Sequence, residues 1–194
     1  MVLSKKRQTF RDFSFRIGKF FGKICENPNL WTGLSLFFAL LGFFLVFELN
    51  FLFSGLAFLI SGFLDMVDGA VARYTKKSSV KGAYIDTIMD RYVEFLAFFG
   101  LILVPLPVLF IPAYGWVVLC LFGSLMTTYS KAASKEKGIK SIEGGLLERP
   151  ERIIILSVGI MLGEINRIFV VCVLILIALF TNITALQRIK KALK

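Results

Sequence analysis

The sequence predicts an all-α, polytopic membrane protein in which six transmembrane helices follow a cytoplasmic amphipathic helix. Three observations carry that expectation. Of 194 residues 57% are hydrophobic, with 21 Phe and a mean hydropathy of +0.77, against the roughly 45–50% apolar content of soluble domains. The apolar residues gather into runs long enough to cross a bilayer core, which takes about 20 residues per helix. All but one of the 23 Lys and Arg residues fall on one side of those runs.

The elements follow in order. In residues 4–24, Phe10, Phe13, Ile17, Phe20, Phe21 and Ile24 recur at helical spacing with Arg11, Arg16, Lys19 and Lys23 between them. That pattern suits a helix lying in the lipid headgroups, so residues 1–27 form a cytoplasmic juxtamembrane segment and 28–194 one six-helix domain. The opening Met1-Val-Leu-Ser-Lys-Lys-Arg is too polar for a secretory signal. Spans are expected at about 30–47, 51–74, 83–105, 109–130, 150–163 and 165–186, the fifth near the lower length limit. Turn signals separate them: Glu48-Leu-Asn50, Pro105-Leu-Pro107 with Pro112, and Gly163-Glu-Ile-Asn166.

Basic residues cluster in the N-terminal segment, between Arg73 and Arg91, between Lys131 and Arg152, and in the tail from Arg188, leaving Arg167 alone on the opposite face. The positive-inside rule then puts both termini in the cytoplasm of a cell membrane, as an even number of spans requires. Because the +10 net charge sits at the ends of apolar runs, it indicates anionic lipid and excludes a nucleic-acid-binding face. Cys25, Cys120 and Cys172 make neither a disulfide framework nor a zinc pattern. With no His in the chain, proton transfer and metal ligation fall to carboxylates, Lys, Tyr or water.

Against this background four acids stand out, since an ionised Asp within a span costs on the order of 2.5–3.5 kcal/mol. Asp65 and Asp68 lie i, i+3 near the end of the second span; Gly82, Asp86 and Asp90 lie i, i+4, i+8 in the third. Antiparallel neighbours joined by the basic loop 75–81 bring the four carboxylates together. Hard oxygen donors without His or Cys suit Mg²⁺ or Mn²⁺, and four can hold two ions. Ion pairing with Arg73, Lys76, Lys77, Lys81 and Arg91 explains one or two of the acids; a cation relay in a coupled transporter is the reading from a different class.

Asp65-Met-Val-Asp68-Gly69-Ala-Val-Ala72-Arg73, eight residues, then Gly82-Ala-Tyr-Ile-Asp86-Thr-Ile-Met-Asp90 matches D-x-x-D-G-x-x-A-R-x(8)-G-x-x-x-D-x-x-x-D at every fixed position. The chain thereby resembles the CDP-alcohol phosphotransferases, whose six-helix layout covers most of its length. The resemblance implies that Asp65 and Asp86 bridge two Mg²⁺ or Mn²⁺ ions, with Asp68 completing one site and Asp90 the other. It makes Asp90 the catalytic base for the acceptor hydroxyl. Arg73 would hold the phosphate charge of the departing CMP, and the resemblance also implies a homodimer. Gly69 and Gly82 let a nucleotide, or a neighbouring helix, approach the backbone. Ser79 resembles a family position that contacts the cytidine diphosphate. Pro28-Asn29-Leu-Trp-Thr32 resembles the P-N-x-x-T opening of the nucleotide pocket, with Asn29 also a reasonable helix N-cap.

A second basic cluster follows: Lys131, then Gly144-Gly145-Leu-Leu-Glu148-Arg149-Pro150-Glu151-Arg152. Arg149 and Arg152 lie i, i+3, and their forks with Lys131 suit an acceptor's phosphate; membrane anchoring accounts for them too. The R-P-E-R run after a double glycine resembles the subgroup that uses inositol 1-phosphate, the phosphatidylinositol phosphate and archaetidylinositol phosphate synthases. Ala133, where that subgroup often carries Arg, is a departure. The expected reaction is transfer from CDP-diacylglycerol or CDP-archaeol to inositol 1-phosphate in phospholipid biosynthesis, with glycerol 3-phosphate as the alternative acceptor.

Overall fold

The computed structural model of the chain describes residues 14–139 and 144–193. Its helices are α1 over residues 14–24, α2 Pro28–Phe47, α3 Phe51–Tyr74, α4 Val80–Ile102, α5 Ala113–Glu136, α6 Arg149–Leu162 and α7 Ile168–Ala192. The last six overlap the six expected segments, with ends that differ by up to six residues, as at α5 and α7. Three of them, α2, α3 and α7, are long and apolar enough to cross a membrane. The other three fall short for identifiable reasons. α4 carries Lys81, Asp86, Asp90, Arg91 and Glu94, and α5 dilutes its apolar residues with Gly, Ser, Thr and Tyr before it ends in Lys131, Lys135 and Glu136. α6 has 14 residues, about 21 Å at 1.5 Å per residue, against a hydrocarbon core of about 30 Å. The chain is an all-α polytopic membrane protein, and its outward faces carry apolar side chains such as Phe37, Phe44 and Phe53.

Local sequence explains where helices begin and end. Asn27 Oδ1 accepts the Asn29 N–H at 3.1 Å, with Pro28 in the first helical position. The cap is therefore Asn27, where the sequence had suggested Asn29. At the other end, α2, α3 and α5 all close with an amide reaching back five residues: Asn50 to Leu45, Lys77 to Ala72 and Ile139 to Ser134. Leu49, Lys76 and Gly138 precede those amides in the left-handed region, at φ 61°, 56° and 69°.

The residues form two compact units, one of the chain through Leu40 with Ile60–Glu94, the other of Leu41–Leu59 with Phe95 onward. The first is built on buried Trp31, Leu64, Val67 and Val71, with Ile17 and Phe21 of α1 packed against them. Trp31 Nε1 donates to the Cys25 carbonyl at 3.1 Å, and Ser35 and Ser61 hydroxyls each donate to the other's carbonyl at 2.9 and 2.8 Å. α1 lies close on α3: a Cβ at Gly18 would overlap the Ala70 carbonyl, and one at Gly22 would meet the Tyr74 ring at 3.0 Å. Phe10 and Phe13 of the expected amphipathic pattern lie outside the described residues. Within α1, Phe15, Arg16, Lys19, Phe20, Lys23 and Ile24 are exposed.

In the second unit α7 packs along α5 and against α6. Glycines set the distances: Gly123 faces Thr181 and Asn182, and Gly159 faces Val173. Asn182 Nδ2 donates to the Leu119 carbonyl at 3.0 Å, joining the two long helices by a polar contact.

Candidate active site

The acids singled out in the sequence lie toward the end of α3 and the start of α4, with the start of α2 beside them, all within the first unit. Carboxylate oxygens of Asp65, Asp68 and Asp86 lie within 4.8 Å of one another. Asp68 is buried, the other two half-buried. Asp90 is not in that group. It stands one turn along α4 from Asp86, about 6 Å of helix rise, so four expected ligands resolve into a cluster of three and a more distant fourth. Three carboxylates this close repel unless a cation separates them, and an all-oxygen donor set fits a hard divalent ion.

Beside the cluster is a cleft of about 380 Å³. Asp68 and Asp86 form part of its wall, as do Asn29, Thr32, Gly69, Arg73, Ser79 and Gly82, the six residues the sequence singled out around a CDP group. Four features of this wall were not legible beforehand. First, Ser79 Oγ accepts the Gly82 N–H at 3.0 Å and so caps α4, whose positive dipole end opens on the cleft. The Ser79 hydroxyl proton remains available to an anion. Second, Thr32 Oγ1 donates to Asp68 Oδ2 at 2.6 Å. Third, Arg73 Nη2 donates to Ser14 Oγ of α1 at 2.8 Å, so its guanidinium is already oriented by a side chain. Fourth, Lys77 pairs with Glu26 at 3.0 Å. This brings a cationic cleft residue to the chain just before α2.

The glycines are informative by contrast. A Cβ on Gly69 would meet only the Arg73 side chain, at 3.3 Å, and one on Gly82 only Ser79 Oγ, at 3.1 Å. Among the described residues no neighbouring helix packs against either glycine.

The second basic cluster belongs to the second unit. Lys131 is exposed, Arg149 half-buried, and Arg152 buried in the first turn of α6, where Glu148 and Glu151 form a capping box. The double glycine has a physical explanation: Gly144 adopts φ 84°, and Gly145 abuts Thr184. Thr184 Oγ1 accepts the Leu146 N–H at 3.1 Å. Sequence reasoning missed Arg188, which it counted as a tail anchor. That side chain is buried, donating to the Thr127 carbonyl at 2.6 Å and the Gly144 carbonyl at 3.2 Å, and so holds the glycine loop to α5 and α7. A buried cation in a helix otherwise read as an exposed tail leaves no signal in the sequence.

Comparison with known proteins decides the family: residues 26–185 match the model of the CDP-alcohol phosphatidyltransferases. The chain belongs to that family. It is a metal-dependent CDP-alcohol phosphotransferase, and its carboxylate cluster supplies oxygen donors for a divalent metal. Membership removes the coupled-transporter reading. An archaetidylinositol phosphate synthase of Pyrococcus horikoshii is 31% identical over 100% of this chain and 97% of its own length. A bifunctional IPC transferase and DIPP synthase of Aquifex aeolicus is 35% identical over 84% of this chain and 38% of that longer protein. The phosphatidylinositol phosphate synthase of Mycobacterium tuberculosis in complex with manganese and citrate shares the fold, with a TM-score of 0.80 at 24% identity, covering 93% of this chain and 89% of that one. The same enzyme with CDP-DAG bound gives a TM-score of 0.76.

Proposed function

We propose that this phosphotransferase moves a phosphatidyl or archaetidyl group from a CDP-lipid to inositol 1-phosphate, releasing CMP. The observation that carries the reading is the single cleft that joins two of the clustered carboxylates to all six residues expected around the nucleotide. Asn29, Thr32, Gly69, Arg73, Ser79 and Gly82 hold the CDP group. The backbone at Gly69 and Gly82 is open to its phosphates, and the α4 N-terminus favours their charge. Asp65, Asp68, Asp86 and Asp90 would hold two Mg²⁺ or Mn²⁺ ions. The chemistry such ions would supply is neutralisation of the pyrophosphate charge and polarisation of its β-phosphorus.

Asp90 takes the proton of the acceptor hydroxyl, whose oxygen forms a bond to the β-phosphorus as the bond to CMP breaks. Arg73 meets the phosphate charge on the departing CMP. Lys131, Arg149 and Arg152 bind the phosphate of the acceptor. The choice of inositol 1-phosphate rests on the Gly144-Gly145 and Arg149-Pro-Glu-Arg152 run, and on relatives named for inositol phosphate lipids.

Six helices span the membrane, with the bilayer locally thinned around the short α6. Both termini and the cleft face the cytoplasm, α1 sets Phe15, Phe20 and Ile24 among the headgroups, and the enzyme is a homodimer. The deciding experiment offers purified enzyme a CDP-lipid with inositol 1-phosphate, free inositol, glycerol 3-phosphate or serine, and reads CMP release. Inositol 1-phosphate is expected to be used best; preference for glycerol 3-phosphate would overturn the acceptor assignment while leaving the nucleotide site intact.

A further inference from the structure

We infer that Thr32 is a positioning residue for the metal, fixing the Asp68 carboxylate from the first turns of α2. The inference rests on the reading of Asp65, Asp68 and Asp86 as a divalent-metal site. A threonine hydroxyl has one proton to give, and two acceptors are in reach: the Pro28 carbonyl at 3.3 Å and Asp68 Oδ2 at 2.6 Å. The shorter contact has the length of a charge-assisted O–H···O⁻ bond, and it takes the proton. The bond joins residues 36 positions apart, so it is a product of the fold.

Its consequence follows from the geometry of a carboxylate. Asp68 is 4% exposed, so little of the carboxylate is left for water to orient. With Oδ2 held by a β-branched side chain of restricted χ1, the carboxylate plane is set before a cation arrives, and its remaining lone pairs stay available as ligands. Partners that hold a ligating carboxylate in this way typically account for 10–100-fold in metal affinity or activity. Thr32 also lines the cleft, so its proposed contact with the nucleotide is a second role that has to be separated from this one. The two roles differ in what they move: a positioning residue changes metal affinity with no nucleotide present, and a nucleotide contact does not.

The test compares wild type, Thr32→Val and Thr32→Ser in detergent, measuring Mn²⁺ affinity by electron paramagnetic resonance without CDP-lipid, and KM for CDP-lipid at saturating Mn²⁺. Valine keeps the shape and loses the donor, and should weaken Mn²⁺ binding by about 10–100-fold. Serine restores the donor and should restore the affinity, while any change in KM for CDP-lipid at saturating metal reads the nucleotide contact separately. Melting curves in chelator check the fold, with Thr32→Ala giving the same readout where the valine variant does not fold. Valine with wild-type Mn²⁺ affinity overturns the inference, and with a raised KM it makes Thr32 a nucleotide contact. A wild type that binds no Mn²⁺ overturns the metal-site reading underneath, a distinguishable result.

Discussion

Replacing Gly69 by Ala separates two uses of a glycine that ordinarily look alike. The methyl would sit in the wall of the cleft, where its nearest neighbour is Arg73 Nη1 at 3.3 Å, the far end of a flexible side chain. Nothing in the packing opposes it. Removing a glycine from the interior of α3 should therefore stabilise the protein by about 0.5–1 kcal/mol, a rise in melting temperature of about 1–4 °C. Catalysis should move the other way. If a phosphate of the CDP-lipid lies against this backbone, the methyl displaces it and loses at least one charge-assisted contact, about 1.5–3 kcal/mol, or 10–100-fold in KM for CDP-lipid. General damage cannot raise stability and KM together. A thermal-shift assay and CMP-release kinetics on the same preparation provide both readings. An unchanged KM would refute the ligand-approach argument, and a lower melting temperature would refute the packing analysis.

Further outcomes follow from the same site. Asp90→Asn should lower turnover by about 10²–10⁴, the effect of a lost general base, with CDP-lipid binding largely retained; near-normal turnover would remove Asp90 from that role. Chelation should abolish CMP release and Mg²⁺ or Mn²⁺ restore it, whereas full activity in the stripped enzyme would leave the three-carboxylate cluster without a metal function. Arg152→Ala should raise KM for inositol 1-phosphate by about 10–100-fold and leave KM for CDP-lipid unmoved; because Arg152 is buried, a fall in melting temperature is expected as well. An equal rise in both KM values would move Arg152 out of the acceptor pocket. Gly145→Ala should destabilise by about 1–3 kcal/mol through overlap with Thr184, and a melting curve equal to wild type would contradict that contact.

The contrast between the glycines shows why some of this chain is readable as text. Asp65, Asp68, Asp86 and Asp90 announce themselves because ionised groups are expensive beside lipid, and their spacing of three and four places each pair on one helix face. The apolar helices are equally legible, and most plainly α2, α3 and α7, since the bilayer imposes both length and composition. The glycines are not: Gly18, Gly69 and Gly145 are identical letters, and only the neighbours distinguish a helix contact, an open ligand wall and a loop pressed on Thr184.

Sequence alone determined the all-α membrane class, the approximate helix positions and the acidic motif, because each follows from interactions within one or two helical turns or from the demand of the lipid. Tertiary structure decided which partners those residues meet. It grouped Asp65, Asp68 and Asp86 and left Asp90 a turn away. It gave Asp68 to Thr32, Arg73 to Ser14 and Gly144 to Arg188. Such bonds join residues from 36 to 59 positions apart, as Thr32 to Asp68 and Ser14 to Arg73 illustrate. The local pattern of a helix specifies which face a side chain occupies; the packing of another helix against that face decides what the side chain touches.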